Sequence, residues 1–229
     1  MIVAIHQPTH LPWLGYFYKI ANCDTFVILD NVQLMRGRGY GVRCQIKTKD
    51  GPKWITVPIK NRGDFQLIKD VEIDNSVNWR KKHWETIRHA YAKAPFFGAC
   101  RKPIEKIFVQ DWDKLADLNI ALIEACMGLL GLETPLVRAS SLDVEGASWE
   151  LLVSICKKLK ADAYLSGSGG AKYQDEEGFA AAGINLGYTH FQHPEYMQQW
   201  GVFVPGMSVI DLIFNRGPDS LRLIMGGTA

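Results

Sequence analysis

Residues 6–15 read HQPTHLPWLG, which sets His6, Gln7 and His10 directly after a short apolar run at residues 2–5. A histidine can give or take a proton near neutral pH, and a glutamine amide donates and accepts through separate atoms. Pro8 and Pro12 stiffen the loop that would present these groups. A lone histidine usually hydrogen-bonds a strand end, and Trp13 would serve equally well as a core plug. The crowding of His, Gln, Pro and Trp into one loop is what points to a site. His6 and His10 lack a Cys or acidic companion at metal-ligand spacing, so no metal is expected here.

Three further segments carry candidate chemistry. Residues 31–69 hold nine Lys and Arg against two acids, Asp50 and Asp64. Glycines 37, 39 and 41 would let backbone amides approach a ligand, and Arg36, Arg38 and Arg43 have the fork geometry that holds phosphate. Arg36 and Arg43 are expected to bind an anion, while Lys49, Lys53 and Lys60 read as a solvated hairpin face. The run YLSGSGGAKYQDEEGF places Ser166, Gly167 and Ser168 in a strand-to-helix loop that is either a phosphate cradle or a simple turn. It is not a Walker A loop, because Lys172 follows the glycines and no Gly-Lys-Ser/Thr ending is present. In MSVIDLIFNRG, Ser208 and Asp211 have capping-box spacing, and Asp211 and Asn215 lie four apart on one helix face. Taken singly, Ser208 is a helix cap and the other two are surface polar residues.

These groups need a frame. Residues 2–5 and 26–29 read as strands flanking a helix, followed by a hairpin at 41–48 and 54–59 with Lys49-Asp50-Gly51-Pro52 as its turn. A strand is expected at 66–73, and a helix at 78–93 with Ser76 as cap, Trp79, Trp84, Ile87 and Tyr91 as its buried side and His83 within reach of a site. The clearest helix spans 115–130 and stops at Gly131. Strands at 134–140, 163–165 and 184–191 alternate with helices at 148–159 and 176–182, and a last helix begins at Ser208. This order predicts a three-layer α/β fold, a mostly parallel sheet with an inserted β-hairpin and helices, in one domain over residues 1–229. In an open sheet of that kind, chemistry collects where the chain leaves the carboxyl ends of strands.

Composition narrows the class. The chain is 47% hydrophobic with a formal net charge of +2, which gives no global case for nucleic acid. No apolar run approaches the roughly 20 residues that span a bilayer, and no leader peptide is evident, so a cytoplasmic protein is expected. Five scattered cysteines without a Cys-x-x-Cys pair read as reduced thiols and core fillers.

The run IHQPTHLPWLGYFYKIANCDTFVILDNVQ resembles the opening of the WbqC-like proteins. The likeness continues through VRCQIKTKDGPKWITVPIK, NWRKKHWETIRHAYAKAPFF, AYLSGSGGAKY and MSVIDLIFNRG. The chain departs from that pattern at YGVRC, where an asparagine-rich stretch is expected around Tyr40 to Cys44, although Arg43 still matches. The resemblance implies a bacterial cytoplasmic protein associated with O-antigen and other surface polysaccharides, including lipopolysaccharide biosynthesis. The strand, His-containing loop, helix and second strand are also similar to adenylate-forming and nucleotidyl-transfer enzymes such as pantothenate synthetase. By that likeness His6 and His10 would grip phosphates and the loop from Ser166 would close over them, although Leu11-Pro12 stands where a Gly-His dipeptide would be.

Together these readings imply an enzyme that modifies an amino-sugar nucleotide, by acyl or aminoacyl transfer to the amine or by ATP-dependent amide formation. His6 would be the base, Gln7 would orient the donor or sugar, and Asp211 would be a second acid or base. His10, Arg36, Arg43, Ser166, Gly167, Ser168, Tyr173, Ser208 and Asn215 would bind substrate or phosphate. The cofactor is left open, with ATP a candidate. The rival is a non-catalytic nucleotide-sugar-binding protein of a polysaccharide assembly complex. A single-strand nucleic-acid binder, drawing on Arg36, Arg38, Tyr40 and Trp54, ranks below both on the near-neutral charge.

Overall fold

The computed structural model describes residues 1–35, 39–61, 65–172 and 174–227. Five parallel strands form the central sheet: β1 (Ile2–His6), β2 (Thr25–Ile28), β5 (Leu136–Arg138), β6 (Ala163–Ser166) and β7 (Asn185–Tyr188). Their order across the sheet is β5-β2-β1-β6-β7. The chain therefore builds outward from β1 in one direction, then returns to the other side of β1 and builds the opposite way. The switch point lies between β1 and β6, the position where doubly wound sheets open a crevice.

Side-chain alternation along the strands sets the layers. Ala4, Phe26 and Ile28 join one buried cluster with α1 (Leu14–Ala21), α4 (Leu115–Leu130) and α7 (Val209–Arg216). Val3, Ile5 and Val27 join a second cluster with α5 (Ser148–Lys158) and α6 (Glu176–Ala181). The three-layer α/β expectation is met, and β1 feeds both cores.

More than a hundred residues separate β2 from its sheet neighbour β5. They include the antiparallel hairpin of β3 (Arg43–Thr48) and β4 (Gly51–Thr56), which turns tightly at Lys49 and Asp50. Then come α2 (Trp79–Tyr91) and α3 (Phe97–Phe108), which pack on each other and, through α3, on α4 and α7. A short α8 (Ser220–Ile224) closes the chain against α1.

Several local expectations are corrected. Residues 66–73 form no ladder; Leu67 and Ile73 make single bridges to Gln33 and Ile59 around a 3-10 turn, Ile68–Asp70. The helix α3 was not anticipated, because Pro103 inside it reads in sequence as a breaker. Asn78, not Ser76, flanks α2, and neither it nor Ser208 makes a side-chain cap bond. No cysteine is paired in a disulfide, and Cys44, Cys126 and Cys156 are buried. Among the described residues, no helix is long and apolar enough to cross a membrane.

Candidate active site

His6 is the last residue of β1, so the switch point places it at the head of the crevice. A cavity of about 360 Å³ opens there. Its floor is Ile5 and His6, its far wall Ser166 and glycines 167, 169 and 170 after β6, and its side Gly15, Tyr16 and Lys19 of α1. Ser166 is buried, and Gly170 passes so close that a β-carbon there would collide with Ser166 Oγ. A side chain at Gly170 would therefore need the Ser166 hydroxyl to turn away.

A second cavity, about 260 Å³, lies on the other side of Trp13. His6, Thr9, His10, Leu11, Tyr40, Cys44, Gln45 and Ser208 contribute to its walls. His6 and Trp13 line both spaces. Trp13 packs edge-on against Phe191 at 5.3 Å and folds over Gly15, whose missing side chain leaves room for the indole. The strand bridge from Trp13 to Ser208, and the Ser208 N–H donated to Gln45 O (2.8 Å), knit loop, hairpin and α7 together.

The loop after β1 is held by one amide. Asn119, wholly buried on α4, donates from Nδ2 to Pro8 O (3.0 Å) and Gly41 O (2.8 Å). Its Oδ1 therefore accepts from His10 Nδ1 (3.0 Å), which leaves the lone pair on His10 Nε2. Leu11, fully buried, is held in the left-handed region at φ 43°. That is a strained conformation for a non-glycine residue, of a kind that collects at functional sites.

The second cavity is polar yet uncharged. Thr9 Oγ1, His10 Nε2 and Ser208 Oγ are buried without partners, and all three residues line it. Ser208 was expected to cap α7; instead its hydroxyl is left unpartnered at this wall. Burial lowers the His10 pKa to about 4, so the ring is neutral at physiological pH. His83 lies edge-on to His10 at 5.6 Å, with its own Nε2 also unpartnered and its pKa lowered to about 3 by burial.

The first cavity is basic. Lys19 Nζ is buried and donates to Ile5 O at 2.7 Å. Its pKa falls to about 8 through desolvation. His6 donates Nδ1–H to Gln7 O (3.1 Å), leaving Nε2 as the basic atom, and its pKa falls to about 4 through burial and the nearby Lys19 charge. Among the described residues no Asp or Glu lines either cavity.

The structure thus brings together His6, His10, Ser166, Gly167, Ser168 and Ser208 around two joined cavities. It places others elsewhere. Gln7 contributes its backbone carbonyl, which accepts from His6 and from Tyr16 Oη, and its side chain lines neither space. Arg43 stacks its guanidinium 4.0 Å over the Trp54 ring, outside both cavities. Asp211 is fully buried between the Tyr91 and Tyr196 hydroxyls (2.9 and 2.7 Å), not on the surface as its helix position suggested. Asn215 donates back to Asp211 O at 2.7 Å. Arg36, Arg38 and Tyr173 lie outside the described residues. Lys19 and Asn119 were not anticipated. The signal for Lys19 is a cation within the otherwise apolar helix LGYFYKIA; Asn119 is a polar residue on the apolar face of α4. Among the described residues, no group of three or more His, Cys, Asp or Glu could hold a metal ion.

Fold and site together define a doubly wound α/β protein with a switch-point crevice divided by a histidine and a tryptophan. The chain matches the WbqC-like protein family over residues 7–223 and belongs to that family. It is 34% identical over 226 residues to Uncharacterized protein Rv1507c of Mycobacterium tuberculosis, covering 96% of this chain and 97% of that protein. No solved structure matches the chain.

Proposed function

We propose that the protein is an enzyme that modifies an amino-sugar nucleotide in bacterial surface-polysaccharide synthesis. The reaction would be acyl or aminoacyl transfer to the sugar amine, or its ATP-dependent amide-forming variant. The observation that carries this reading is the position of His6 on the shared wall of two unlike cavities, one basic and one uncharged. In this reading the amine nitrogen attacks the acyl carbon, the bond to the leaving group breaks with its electron pair, and the amine proton passes to His6 Nε2. His10 Nε2, Thr9 and Ser208 supply hydrogen-bond partners for the neutral part of the substrate. Asp211 lines neither cavity and holds the Tyr91 and Tyr196 hydroxyls, so in this reading it takes no part in the proton transfer.

The test is to incubate the protein with amino-sugar nucleotides and acyl donors and to look for a mass-shifted product. The expected result is a product whose formation falls at least a hundredfold in His6→Ala, the scale usual for loss of a general base. A product formed equally well by His6→Ala would remove His6 from the chemistry. The absence of any carboxylate from both cavities among the described residues supports a second reading, binding without turnover. Saturable nucleotide-sugar binding with no product from any donor would select it.

A further inference from the structure

We infer that Lys19 anchors a phosphoryl group in the switch-point cavity, making that half of the crevice a built anion subsite. This rests on the reading that the crevice binds substrate, and it supplies a residue that reading lacked. A lysine ammonium has three protons to donate. Among the described residues Lys19 has one hydrogen-bond acceptor, Ile5 O, and no carboxylate partner; the Tyr164 ring lies 5.9 Å away. Keeping an ammonium out of water without a counter-ion is unfavourable, and an anionic ligand would supply the counter-charge that the fold leaves out. The cavity wall opposite Lys19 is the Ser166 to Gly170 loop, whose glycines 167 and 169 leave open space where side chains would stand.

The rest of the lining fits the same ligand. Gln174 Oε1 is buried without a partner and accepts only, so it calls for a ligand hydroxyl beside the anion. Thr189 adds a neutral hydroxyl, and Phe191 and Trp13 add flat apolar faces. Anion, hydroxyl and ring face together describe a phosphorylated sugar or nucleotide rather than a simple carboxylate.

Binding of an anion at Lys19 also reaches His6. The titratable groups facing Lys19 are His6 from β1, Tyr16 and Cys23 on α1 and just beyond it, and Tyr164 from β6. None is anionic at neutral pH; burial raises the Cys23 and Tyr164 pKa values to about 12. A bound phosphoryl group would offset the Lys19 charge that holds His6 down. Lys19 would then keep its proton to higher pH and His6 would become a better base.

Calorimetric titration of the full chain with pyrophosphate tests this. Wild type is expected to bind; with inorganic phosphate, which stays a dianion between pH 8.5 and 10, affinity is expected to fall over that range and protons to be taken up at pH 9 when two buffers of different ionisation enthalpy are compared. Lys19→Met is expected to bind at least tenfold more weakly while melting no lower than wild type, since the substitution removes an uncompensated buried charge. Absent binding, unchanged affinity in Lys19→Met, or no proton uptake by wild type would overturn the inference; the last readout needs no variant to fold. Acetate binding as tightly as pyrophosphate would overturn the phosphoryl assignment. Pyrophosphate captured through Lys19 without turnover of any amino-sugar nucleotide would sustain the subsite and sink the proposed reaction. Turnover undiminished in Lys19→Met would do the reverse.

Discussion

Asp211 accepts hydrogen bonds from Tyr91 and Tyr196, and Tyr91 Oη also accepts the Lys47 N–H at 3.1 Å, so one carboxylate ties α7 to α2 and β3. Burial raises its pKa, which means the ionised form is the costly one in the fold. Its stabilising contribution is complete below the ordinary carboxylate range and is lost as pH rises through the elevated value. Asp211→Ala leaves two buried hydroxyls without an acceptor and should lower stability by roughly 3 kcal/mol in urea denaturation. Asp211→Asn keeps an acceptor, sheds the charge, and should cost clearly less at pH 7. His10 works with the opposite sign. Its folded pKa of about 4 lies below the ordinary 6.5, so its contribution is present above pH 6.5 and drains away as pH falls towards 4. That loss is roughly 2 kcal/mol by pH 5 for His10 alone, and His83 adds to it. Stability measured at pH 7.5 and 5 should show the drop, and His10→Gln should lessen it by the His10 share, leaving the part due to His6 and His83. Residue type and spacing are enough to single out His6, His10 and the serine-glycine loop from the sequence. They do not reveal Lys19, because whether a helical lysine faces water depends on how the helix is rotated against the sheet. Ser208 enters the candidate set through the family pattern rather than through its spacing, whose cap-like form conceals a hydroxyl at the wall of the second cavity.

At the scale of elements, the hairpin is the part most dependent on its neighbours, since two strands alone are marginal in water. It is held by Tyr91 Oη at the Lys47 backbone and by Lys47 Nζ donating to the carbonyls of Gly201 and Val202. Lys47→Met should speed amide exchange in β3 and β4 at least tenfold while leaving β1 and β6 protected. The turn into α1 depends on Gly15. A β-carbon there would run into the Trp13 ring, so Gly15→Ala should displace the shared wall and weaken pyrophosphate binding without lowering the melting temperature by more than a few degrees. The parallel strands and α4 are readable because their apolar runs and Gly131 stop are local signals. The helix α3 is not, because tertiary packing against α4 and α7 overrides the proline that argues against it.

For the molecule as a whole, β1 is the common member of both cores: Ala4 packs into one and Val3 and Ile5 into the other. The two clusters should therefore melt together. Tryptophan fluorescence and far-ultraviolet circular dichroism are expected to trace one coincident transition, and separated midpoints would divide the chain into two units. The inserted hairpin and helices can be recognised in sequence as an interruption, but the strand order cannot, because pairing partners so distant in the chain leave no local trace. That order also carries a consequence in time. Of the two neighbours β1 needs, β6 begins only at Ala163. At a synthesis rate of about 5–20 residues per second, a growing chain carries β1 with one edge open for on the order of ten seconds. The crevice, built from that same pair of strands, is among the last features of the protein to come into being.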